Sequence, residues 1–117
     1  ITYSSAGHIP QILINENNVQ TLTHRGNIIG MIPDVEYDEE EREFSSGRLF
    51  LFTDGIEEEF NEDQEQFGEE RVIRILEQEK DKPLESSIET LYNSMNKFID
   101  TARVRDDITV IGIEYRG

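Results

Sequence analysis

Apolar residues change their spacing twice along this chain, and the changes mark out strands, then helices, then a closing strand. Residues 1–5, 11–15 and 19–23 read as strands, with Asn15-Glu16-Asn17-Asn18 as the turn between the last two. Gly26 and Gly30 bracket a loop in which Ile28 and Ile29 are expected to tuck inward. A strand is expected around residues 35–44, although charge makes its alternation poor. Leu49-Phe50-Leu51-Phe52 is an unbroken apolar run, which predicts a central strand covered on both faces. After it the period lengthens. Val72, Ile73, Ile75 and Leu76 suit a short amphipathic helix over about residues 69–79. Pro83 suits the start of a second helix. Leu84, Ile88, Leu91, Tyr92, Met95, Phe98 and Ile99 follow at steps of three and four, so Tyr92 and Met95 are expected in the core. Residues 108–115 return to β-forming composition. This order predicts an α+β fold, a largely antiparallel β-sheet with two helices packed on one face.

Composition narrows the picture without changing it. A length of 117 residues allows one core, and 35% hydrophobic content keeps that core thin. The formal charge of −15 argues against nucleic acid or an anionic membrane as partner, since both would repel it. The charge run at residues 38–43 reads as a solvated face. The chain has no Cys, which removes disulfides and thiolate metal sites and agrees with a cytoplasmic origin.

The candidate chemistry lies at two strand ends. Thr53-Asp54-Gly55 closes the central apolar run, and the glycine lets the backbone turn so that a carboxylate projects from a rigid platform. Asp106-Asp107 stands just before Ile108-Thr109-Val110. Two oxygen donors at the same edge of two central strands are what a hard divalent cation takes. Either motif alone is more often a turn or a solvated strand entry than a cation site. Asn61-Glu62-Asp63-Gln64-Glu65-Gln66 resembles a calcium loop only superficially. Gln66 stands where the turn needs glycine, and the twelfth position is Val72.

Five motifs occur here in one order: Ser5-Ala6-Gly7-His8-Ile9-Pro10, Gly26-Asn27-Ile28-Ile29-Gly30, the segment 49–58, Phe67-Gly68-Glu69-Glu70-Arg71, and Asp106-Asp107-Ile108-Thr109. In these motifs the chain resembles the SpoIIE/RsbU-type serine phosphatases, the bacterial branch of the metal-dependent (PPM) protein phosphatases. The resemblance implies a partial αββα phosphatase sandwich, with residues 1–117 forming the C-terminal part of one such domain. The family's Gly-Asp-rich opening strand, which carries the aspartate that bridges two metals, has no counterpart here. The segment alone is therefore expected to be inactive.

The same resemblance implies Mn²⁺ or Mg²⁺ as cofactor and a phosphoserine protein as substrate, such as an anti-sigma-factor antagonist in a partner-switching pathway. Asp54 and Asp106 match the family's metal ligands. Gly55, Asp107 and Glu58 stand where they would shape or brace the ligand loops. His8 matches a strand-to-turn element and is expected to be structural, and His24 is assigned nothing. Relatives carry Gly-Asp before the central strand where this chain has Gly47-Arg48, a position that reads as a turn without catalytic consequence. An upstream sensor or membrane region would leave the domain cytoplasmic but tethered. The competing reading is a non-catalytic pseudophosphatase or protein-interaction module. An exposed sheet edge also predicts self-association.

Overall fold

Alternation along the strands decides how the predicted elements stack. In the computed structural model, which describes residues 1–16, 18–23, 26–100 and 107–117, the order begins with β1 (Thr2–Tyr3), β2 (Gln11–Ile14), β3 (Val19–Leu22), β4 (Glu40–Glu41) and β5 (Gly47–Phe52). It continues with α1 (Glu69–Gln78), α2 (Leu84–Ile99) and β6 (Val110–Tyr115). One sheet has the strand order β3-β2-β5-β6, with every neighbouring pair antiparallel. β1 and β4 form a separate two-stranded antiparallel ribbon.

The helices cover one face of the larger sheet. Ile12, Ile14, Phe50 and Phe52 point into a core shared with Val72 and Leu76 of α1 and with Leu91, Met95 and Ile99 of α2. A Cβ at Gly112 would come within 2.9 Å of Leu84 Cδ1 and 3.1 Å of Ile88 Cδ1, so α2 seats itself over β6 where a side chain is missing. The α+β architecture expected from the periodicity is the one observed. No helix among the described residues is long and apolar enough to cross a membrane.

The opposite face departs from expectation. Arg48, Phe50 and Phe52 are buried, whereas Leu49 and Leu51 are only half-buried. The apolar run arises because the second face is an open trough of about 560 Å³, lined by Ile1, Tyr3, Ile29, Leu49, Leu51 and Ile111 among others. Ile28 and Ile29 do not tuck inward but stand 55% and 74% exposed. The strand expected at 35–44 shortens to Glu40–Glu41, because adjacent carboxylates there repel and have little to pack on. Tyr92 is 53% exposed, since the buried stripe of α2 runs through Ser87, Leu91, Met95 and Ile99 and Tyr92 lies about 100° around the helix from Leu91. Met95 is in the core as expected.

Arg48 is no turn residue. It sits within β5, only 7% exposed, and its guanidinium binds four groups, on β6, on α2 and on the connection between the helices. Nε and Nη2 donate to Glu114 Oε1 on β6 at 3.0 and 2.9 Å. Nη1 donates to Glu79 O at 3.1 Å and to Ser87 Oγ at 3.0 Å, and Nη2 also reaches Lys82 O. One cation thus ties the helix-to-helix connection to the sheet and satisfies carbonyls left over at the end of α1. Replacing Arg48 by Ala would leave Glu114 to Arg116 and Glu79 O to the Ser87 hydroxyl, but it removes a buried side chain that joins sheet and helices and is expected to cost about 2 kcal/mol. Arg116→Ala removes only an exposed ion pair to Glu114 and is expected to change stability little. Urea unfolding of both variants checks the contrast, and equal losses would contradict it.

Candidate functional site

The end of β5 is fixed to β6 by a threonine used three ways. Thr53 N–H donates to Thr109 O at 3.1 Å. Its hydroxyl donates to Asp107 O at 3.2 Å and accepts the Thr109 N–H at 3.1 Å. The ladder therefore continues past Phe52 opposite Val110, its last regular pair. Asp54 follows at once and opens a single 3₁₀ turn, Asp54–Ile56. The Asp54 carbonyl accepts the N–H groups of Glu57 and Glu58 at 2.9 and 3.0 Å, and the fully buried Ile56 anchors the turn in the core. The Asp54 carboxylate is left exposed at the strand end that Thr53 ties to β6.

Gly55 explains why the two motifs can meet. A Cβ there would lie 2.6 Å from Asp107 O and 3.3 Å from its carbonyl carbon, so any side chain would push the strand ends apart. Asp54, Gly55 and Asp107 are thereby brought edge to edge. Asp106 and His24 lie outside the described residues. Glu58 is exposed, and its backbone N–H is what binds the Asp54 turn. His8 is exposed with Nδ1 3.1 Å from Ile9 O and 3.1 Å from Gln11 Nε2. In the acidic loop, Asn61 Oδ1 accepts the Glu65 N–H at 2.8 Å and Phe60 bridges to Gln66, a closed turn.

Sequence reasoning passed over Glu57, three residues beyond Asp54. Its Oε1 is buried with no hydrogen-bond partner among the described residues. Burial, followed by the charges of Glu69, Glu58 and Asp54, pushes its carboxyl up to about 7. A run of acids after Thr-Asp-Gly was visible, but only the fold shows which of them turns inward. Crowded carboxylates around an orphaned oxygen fit a hard divalent cation, which takes oxygen donors and offsets their repulsion. Among the described residues no group of three or more His, Asp or Glu side chains is arranged to hold one. Donors beyond Asp54 and its described neighbours would have to complete the set.

The family model for Stage II sporulation protein E (SpoIIE) matches residues 1–116. The fold is similar to the SiaA-PP2C domain of Pseudomonas aeruginosa, with a TM-score of 0.80 and 24% identity over 98% of this chain. The chain spans about half of that structure, 47% of its length. A comparison with curated proteins finds no match.

Glu57 makes stability depend on pH in a definite direction. Below its ordinary value of 4.5 the carboxyl is protonated folded or unfolded and costs little. As pH rises toward about 7 the unfolded chain loses this proton first, so the folded state loses ground. Glu57→Gln is therefore expected to raise the melting temperature more at pH 8 than at pH 4.5. Thermal melts of both proteins at the two pH values decide it, and an equal shift at each would contradict the assignment.

Proposed function

The chain belongs to the SpoIIE family, and from that membership we propose that it forms part of a metal-dependent serine/threonine protein phosphatase. The observation that carries the reading is the juxtaposition of Asp54–Gly55 with Asp107, held by the hydroxyl of Thr53. Mn²⁺ or Mg²⁺, when bound, supplies Lewis acidity toward the phosphoryl oxygens and toward water. The chain contributes the Asp54 carboxylate, and Asp106, next to Asp107 in sequence, is the second ligand. Gly55 and Thr53 hold the two segments in register, and Asp107 orients the loop.

The substrate in this reading is a phosphoserine on a protein, of the anti-sigma-factor-antagonist kind. Family analogy is the support for that choice. The chain's own charge of −15 is compatible with a protein substrate rather than a nucleic acid.

The test is hydrolysis of a phosphoserine protein by the protein that carries this chain, followed against Mn²⁺ concentration. Asp54→Asn and Asp106→Asn are each expected to lower turnover by about 10²-fold or more, the scale seen when a group that stabilises transition-state charge is removed. Asp107→Asn should cost about tenfold or less, the lower end for groups that orient ligands. Full activity in Asp54→Asn would end the reading. Mn²⁺ binding without turnover would favour a non-catalytic interaction module.

A further inference from the structure

Resting on the phosphatase reading, we propose that Gln11 is the positioning residue that sets Asp54 from the β2 side, and that it does so by replacing a ladder rung that Pro10 cannot form. Phe52 sits two residues before Asp54. The β2–β5 register pairs Ile14 with Arg48 and Ile12 with Phe50. Stepping by two, the next rung of the same kind would pair Pro10 with Phe52. Proline has no N–H to give, so the Phe52 carbonyl would lose its backbone donor there. The side-chain amide of Gln11 occupies that gap. Its Oε1 accepts the Phe52 N–H at 2.7 Å, and its Nε2 lies 3.3 Å from Phe52 O. The carboxamide oxygen thus takes the Phe52 N–H, while the amide's two N–H groups are shared between Phe52 O and the nearer acceptors of the 8–10 turn.

The amide is itself held. Nε2 lies 2.9 Å from Ile9 O and 3.0 Å from Pro10 O, within the same turn, and 3.1 Å from His8 Nδ1. Gln11 is half-buried, so these bonds are partly shielded from water. Thr53 fixes the strand end from the β6 side, and Gln11 fixes the preceding residue from the β2 side. The chain leaves this clamp directly into Asp54. Loss of Gln11 would leave Phe52 without its β2 partners, so that the Asp54 carboxylate is positioned only by Thr53 and by the buried Ile56 beyond it. Gln11 does not touch a cation in this account and acts only through Phe52.

Gln11→Ala and Gln11→Glu are compared with the parent by amide hydrogen exchange and by Mn²⁺ titration of the protein that carries this chain. The glutamate keeps an acceptor for Phe52 N–H but cannot donate to Phe52 O when ionised. Gln11→Ala is expected to speed exchange at Phe52 at least severalfold and to weaken Mn²⁺ binding by about 10-fold or more, whereas Gln11→Glu is expected to keep most of the Phe52 protection. Pro10→Ala restores a backbone N–H opposite Phe52 and is expected to recover part of both losses in the Pro10→Ala/Gln11→Ala double variant. A structural defect elsewhere would not respond to that restored donor. Unchanged Phe52 exchange in Gln11→Ala, faster exchange with unchanged Mn²⁺ affinity, or no rescue by Pro10→Ala would each overturn the proposal. If Asp54→Asn leaves Mn²⁺ binding intact, the phosphatase reading itself fails, and the Phe52 exchange arm separates that failure from a failure of the clamp.

Discussion

Every functional statement about this chain depends on one constraint: the C-terminal end of β5 is gripped from both sides. On the β6 side the hydroxyl of Thr53 binds Asp107 and Thr109, and on the β2 side the carboxamide oxygen of Gln11 binds the Phe52 N–H. A carboxylate used for metal work must be held to a fraction of an ångström, and a strand end that frays cannot do that. The ordinary ladder stops at Phe52. One further backbone bond, from Thr53 N–H to Thr109 O, and the Thr53 hydroxyl carry the order to the place where Asp54 begins.

The core supports the same end. Ile56 is fully buried, so the 3₁₀ turn after Asp54 cannot lift away without exposing it. At the far end of β5, Arg48 joins the strand to β6 and to the connection between the helices. Both ends of one strand are thus anchored by polar groups, while Phe50 supplies the apolar centre. Close packing between sheet and helices then transmits this rigidity to the site edge.

The helices, the central strand and the Asp54 turn were legible because they obey strong local rules. The steps from Leu84 to Ile99 give α2 almost to the residue, and the glycine after Asp54 marks a turn. What could not be read depends on partners distant in sequence. The inward Glu57 and the buried Arg48 look like other charged residues until the fold supplies Glu69 and Glu114. Leu49 and Leu51 looked fully buried because an apolar trough and a covered face impose the same residue types. Pro10 beside Gln11 held a usable signal, a strand start without an N–H followed by a side chain able to replace it. Weighing which backbone groups Pro10 leaves unserved would have singled out Gln11.

The central claim is that the Asp54 turn and the Asp106-Asp107 edge share one cation. Paramagnetic broadening of backbone amide signals by substoichiometric Mn²⁺ tests it without any assay of turnover. The account predicts that Asp54, Gly55, Asp106 and Asp107 broaden together and first, while the acidic stretch at Glu39, Glu40 and Glu41 stays sharp. Broadening that begins in that acidic stretch and leaves Asp54 and Asp107 untouched would contradict it.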